Sequence, residues 1–131
     1  MSQIDQKIKE VGSIGENIAA NYLLKNGYEI LDANFFNELG YRRGEIDIVA
    51  KDPENNELVF VEVKARKMSL YSAQPELAIT KSKYRKLLKI ISSYINKNNL
   101  HDQNWRLDAI AIEMDVYSRK ARLKHLKYIY Y

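Results

Sequence analysis

Glu57-Leu58-Val59-Phe60-Val61-Glu62-Val63-Lys64-Ala65-Arg66 reads as an apolar strand that carries a carboxylate and an amine in its middle. Successive strand side chains point to opposite faces, so Leu58, Phe60, Glu62 and Lys64 share one face and Val59, Val61, Val63 and Ala65 the other. A strand apolar on both sides belongs inside a sheet covered on both faces. There an ionised Glu62 persists only if it is paired, hydrogen-bonded or bound to a cation. A Glu62–Lys64 pair fraying out at the strand end is one way to satisfy it.

A second run lies just upstream. Gly44-Glu45-Ile46-Asp47-Ile48-Val49-Ala50 is also strand-like, with Glu45, Asp47 and Val49 expected on one face and Ile46, Ile48 and Ala50 on the other. Between the runs, Lys51-Asp52-Pro53-Glu54-Asn55-Asn56 is rich in turn formers, so the two strands are expected to pair antiparallel and bring Asp47 near Glu62. Two carboxylates and Lys64 then converge. Like charges a few ångströms apart raise each other's pKa unless a cation bridges them, and hard carboxylate oxygens suit Mg²⁺ or Mn²⁺.

Asp47, fourteen intervening residues and then Glu62-Val63-Lys64 resemble the core of the PD-(D/E)XK restriction-endonuclease-like superfamily. The resemblance is closer still to the bacterial YraN-like proteins, a group similar to archaeal Holliday-junction resolvases. Gly12-x-x-Gly15-Glu16-x-x-Ala19-x-x-Tyr22-Leu23 resembles the opening motif of that group, and Trp105-Arg106-Leu107-Asp108 its Arg-Phe-Asp strand, with Leu107 in the Phe place. Ile46 stands where the superfamily name has a proline, a departure usual within the YraN-like group.

The resemblance implies a restriction-endonuclease-like α/β fold, a mixed β-sheet flanked by helices, as one nuclease domain over residues 1–131. It implies a catalytic set of Asp47, Glu62 and Lys64. Mg²⁺ or Mn²⁺ would be held by Asp47, Glu62, the Val63 carbonyl and Glu16, with Glu45 as an outer acid. Lys64 would orient the attacking water, Arg66 would hold a neighbouring phosphate, and Asp108 would support the site as a buried partner for a nearby Lys or Arg, or merely bond backbone. The implied reaction is hydrolysis of DNA phosphodiester bonds at branched or junction structures in repair or recombination. The rival reading is a non-catalytic module that keeps the fold and docks nucleic acid or a repair protein.

With 131 residues, 46% hydrophobic and 29% charged, the chain has the composition of an ordinary globular domain. It holds no run of the roughly 18 apolar residues a membrane helix needs. Its first residues lack the apolar core of a signal peptide, so a cytoplasmic location without membrane attachment is expected. The absence of cysteine excludes disulfides and thiolate chemistry, and His101 and His125 stand apart, which disfavours zinc. Charge is uneven: residues 1–66 hold 8 Lys+Arg against 12 Asp+Glu, and residues 67–131 hold 13 against 5. A basic half suits a polyanion, DNA above all, although mild basicity alone is weak support. The sequence leaves the oligomer open, with a homodimer as one expectation.

The rest of the chain falls into elements. Residues 12–26 form an amphipathic helix ended by Gly27, with Ile4, Ile8 and Val11 extending its stripe backward. Glu16 has two readings here, a metal-facing acid or the last member of a Ser13-x-x-Glu16 capping box. Residues 28–34 are expected as a strand and Phe35 to Arg43 as a loop in which Arg42 and Arg43 either contact phosphate or are simply solvated. Residues 67–76 read as a connector. Thr80 caps a helix to about Asn98 with Tyr84, Leu87, Leu88, Ile91 and Ile95 as its apolar stripe. Lys81, Lys83 and Arg85 crowd its first turns against the macrodipole, tolerable chiefly if something anionic lies nearby. DNA is one candidate and a solvated face is the other. Residues 104–113 are another strand, and 121–131 a basic edge strand.

Overall fold

In a computed structural model describing residues 3–36, 45–68, 79–115 and 117–130, the run around Glu62 is the middle strand of a five-stranded sheet. The chain runs α1 (Gln3–Lys25), β1 (Glu29–Phe36), β2 (Glu45–Lys51), β3 (Leu58–Lys67), α2 (Lys81–Lys97), β4 (Trp105–Met114) and β5 (Ala121–Leu126). Spatial order follows sequence order. All neighbours are antiparallel except β3 and β4, which run parallel from Leu58↔Trp105 to Lys67↔Met114. A parallel pair needs a crossover, and α2 lies within it. The architecture is a mixed α/β sheet flanked by the two helices, as expected.

The two-faced pattern of β3 explains the layering. Val59 and Val61 pack with Ile48, Ile110 and Ile112 against Ala19 and Leu23 of α1. Leu58 and Phe60 pack with Leu107 and Ala109 against Leu87, Ile91, Tyr94 and Ile95 of α2. Ile90 and Tyr94 join Leu87, Ile91 and Ile95 as the buried stripe of α2, whereas the expected Leu88 and Tyr84 are only partly buried. Thr80 caps α2 as predicted, its Oγ1 accepting from Lys83 N at 3.1 Å.

Three expectations are corrected. The helix begins at Gln3, so Ser13 lies well inside α1 rather than at its start, and the capping-box reading of Glu16 fails. Phe35 and Phe36 belong to β1 rather than to a loop. Ile46 packs with Val49 on the α2 side rather than with Ile48 and Ala50, so the alternation of β2 breaks at Asp47. Arg42, Arg43 and most of the 67–76 connector lie outside the described residues.

Candidate metal centre

The break in β2 coincides with a fork in the sheet. The β2–β3 ladder is paired from Lys51↔Leu58 to Ile48↔Val61 and stops there. Beyond it β2 stays with β1 as far as Glu45↔Phe36, while β3 stays with β4. A backbone N–H left at such a fork needs another acceptor. Asp47 supplies it: its Oδ2 accepts from Val63 N at 2.7 Å. A carboxylate thus stands where a strand carbonyl would be.

The carboxylates of Glu16, Glu45 and Asp47 each bring an oxygen within 4.8 Å of the others. Glu16 reaches the fork because α1 lies very close to β3: a Cβ added at Gly15 would overlap the Ala65 methyl. The small residue of the opening motif therefore sets the position of the acid that follows it. With its amide turned so that nitrogen faces the acids, Asn34 donates to Glu16 Oε2 at 3.2 Å and to Glu45 Oε1 at 2.5 Å. Asn34 holds φ +55°, a left-handed conformation that Asn tolerates better than most residues.

Burial raises the acids at the fork, with repulsion among them adding to the rise at Glu16, Asp47 and Glu62. Burial, then the charge of Glu62, pushes the Asp47 carboxyl up to about 8, with Glu16 and Glu45 adding to the rise and the Val63 N–H opposing it. Burial likewise raises Glu16, helped by Glu45, and raises Glu45 against the pull of Lys83. Glu62 is also raised by burial, with Lys83 and then Lys64 opposing. Lys83 Nζ lies 3.5 Å from Glu62 Oε1. The anion beside this lysine of the first helical turn is therefore a carboxylate of the same chain.

The remaining expected site residues divide. Lys64 shares the face of Glu62 and exerts its charge on it. Arg66 is bound to Glu113 through Nε at 2.9 Å and Nη2 at 2.5 Å, with Arg122 on the other carboxylate oxygen. Burial pushes Glu113 up, but the hydrogen bonds from Arg122 and Arg66 outweigh it and hold the carboxyl below its ordinary value. Lys81 and Arg85 are exposed on α2. Asp108 is not among the fork acids. Its oxygens accept from Arg106 Nε at 3.0 Å and Tyr128 N at 3.1 Å, and Oδ2 lies 2.8 Å from His125 Nε2. Arg106 Nη1 continues to Asp52 at 2.7 Å and Nη2 to Tyr28 Oη at 3.0 Å, while His125 Nδ1 meets Tyr22 Oη at 3.0 Å. This buried network joins α1, the β2–β3 turn, β4 and β5. Sequence reading left out Asn34, the bond between Lys83 and Glu62 and most of this network. The opposed helix dipole was the signal that pointed to Lys83.

The model of the uncharacterised protein family UPF0102 matches residues 15–112. The chain belongs to that family. UPF0102 is the YraN-like group named from the motifs, and its matched segment runs from Gly15 through Asp47 and Glu62 to Ile112. A UPF0102 protein of Clostridium beijerinckii is 40% identical over 119 residues, 91% of each chain. One of Pelobacter propionicus is 42% identical over 107 residues, covering 82% of this chain and 73% of its own. One of Trichlorobacter lovleyi is 43% identical over 112 residues, covering 86% and 84%. No helix among the described residues is long and apolar enough to cross a membrane.

Proposed function

We propose that this UPF0102 protein is a metal-dependent nuclease of the restriction-endonuclease-like PD-(D/E)XK superfamily that hydrolyses DNA phosphodiester bonds, with branched or junction DNA as its substrate class. The observation that carries the reading is the meeting of Glu16, Glu45 and Asp47 at the fork, beside Glu62 and Lys64. Clustered like charges at a cost are retained where a ligand repays them.

The donor set fits a hard divalent cation. Glu16, Glu45 and Asp47 offer carboxylate oxygens in one group, and burial raises all three, with repulsion adding at Glu16 and Asp47, which supports a site that a cation would relieve. Asp47 would hold Mg²⁺ or Mn²⁺ with Glu16, with Glu45 or Glu62 and with the Val63 carbonyl. Glu45 thereby moves from an outer acid to a candidate ligand. When bound, such an ion supplies Lewis-acid stabilisation of phosphate charge and acidifies a water.

The chain's own residues do the rest. The Val63 N–H fixes one Asp47 oxygen, so the other is aimed by the backbone rather than by a free rotor. Lys64, on the face of Glu62, would orient the water that attacks phosphorus and offset charge as the P–O bond to the leaving strand breaks. Lys81 and Arg85 would hold flanking phosphates without reading sequence. Purified protein with Mg²⁺ or Mn²⁺ should cut at least one of a panel of junction, flap, single-stranded and duplex substrates, and Glu62→Ala and Lys64→Ala should abolish the cut. An intact panel would favour the non-catalytic docking module instead.

A further inference from the structure

Lys83 occupies an unusual station. It sits in the first turn of α2, where a cation opposes the helix dipole and where the turn itself carries no acid. Its neighbours Lys81 and Arg85 are exposed on the same turns. Lys83 instead turns its ammonium to the fork, 3.5 Å from Glu62 Oε1, while about half of its side chain stays open to solvent (46% exposed) against 10% for Glu62. Its charge is felt at Glu45 as well as at Glu62. Lys83 therefore stands between an acidic cluster built for positive charge and the exposed basic turns of α2.

We infer that Lys83 is a positioning residue that serves as the resident counter-ion of the acidic fork and is released toward substrate phosphate when a divalent cation loads. The inference rests on the metal-dependent reading above. An ammonium on Glu62 and a divalent ion on the adjoining carboxylates repel each other, so loading the fork weakens the hold on Lys83. Its half-exposed, flexible four-carbon stem lets the charge swing outward at little cost. Metal loading would thus make the nucleic-acid face more basic by one charge, and nucleic acid would bind better to the loaded chain than to the empty one. By linkage, nucleic acid would also tighten the metal.

Titration calorimetry with Mn²⁺ alone tests this without cleavage. Lys83→Ala and Lys83→Gln should bind Mn²⁺ about threefold to fivefold tighter than wild type, the size of one partly exposed ion pair. Lys81→Ala, which removes the same charge from the same turn, should change it far less. The second arm measures binding of a four-way junction with Ca²⁺ and with chelator. The ratio of the two affinities should be smaller than in wild type in both Lys83 variants and keep its wild-type value in Lys83→Arg. If wild type binds Mn²⁺ and the Lys83 variants match Lys81→Ala, this inference fails and the nuclease reading stands. If wild type binds no Mn²⁺, the metal-dependent reading fails and takes the inference with it.

Discussion

Asp47 carries the strongest residue-scale consequence. The folded chain keeps a proton on it that the unfolded chain has released, across the window from 3.8 to about 8. Raising the pH through that window therefore costs stability, on the order of 2–5 kcal/mol in the metal-free protein. Glu16, Glu45 and Glu62, all raised, act in the same sense. Asp52 is the opposite case. Burial raises it, but the Glu54 N–H and Arg106 outweigh that and leave it lowered, so its contribution is lost only as the pH falls into acid. Thermal melts in chelator should peak in mild acid and decline toward pH 9, and Asp47→Asn should flatten most of the decline. A wild-type melting temperature that climbs from pH 5 to pH 8 would refute the picture of an uncompensated acid.

At the scale of elements, α1 delivers Glu16 because Gly15 lets it lie against Ala65. Gly15→Ala adds a methyl where there is no room. Despite the better helix propensity of alanine, the overlap should cost about 1–3 kcal/mol. Moving α1 off β3 should also draw Glu16 away, so Mn²⁺ affinity should fall with stability, a pairing that denaturant melts and calorimetry check together. The β4 network separates these effects. Arg106 is almost fully buried and bonds Asp52 and Asp108. Removing it leaves Asp52 and Asp108 buried without their guanidinium, at about 3–5 kcal/mol. Arg106→Met should therefore destabilise strongly while Mn²⁺ affinity, in whatever fraction remains folded, stays near wild type. An equal loss of metal affinity would tie Asp108 to the site after all.

For the molecule as a whole, a cation that binds the folded fork and not the unfolded chain must stabilise it by mass action. Mn²⁺ should raise the melting temperature progressively, through a stabilisation of about 2.7 kcal/mol at a hundredfold excess over the dissociation constant. Asp47→Asn should lose most of the response. Identical wild-type melts with chelator and with a Mn²⁺ series would remove the metal centre. The basic second half should dominate nucleic-acid binding, so affinity should drop steeply with salt and Lys81→Glu with Arg85→Glu should weaken every sequence alike. A flat salt dependence would take α2 out of the interface.

Periodicity is a local property, and it carried the layering. The two-faced apolar run of residues 57–66 required helices on both sides of its sheet, and Gly27 and Thr80 marked two helix ends. The motif spacing singled out Asp47, Glu62 and Lys64 without any structure. Which acids gather was not local. Glu45 reads as an outer acid until the β2–β3 ladder ends at Ile48↔Val61 and the strands part, because a fork depends on where two pairings stop. The role of Glu16 likewise turned on whether the helix began at Ser13 or at Gln3, a choice that weak end signals leave open. Lys83 met Glu62, and Arg106 met Asp52, only through tertiary contacts across elements; the bond between Arg106 and Asp52 spans 54 residues of chain. The sequence by itself determined the faces of the strands and the chemistry available at them. Only the tertiary structure decided which charges met, because burial and Coulomb energy depend on distance in space and not on distance along the chain.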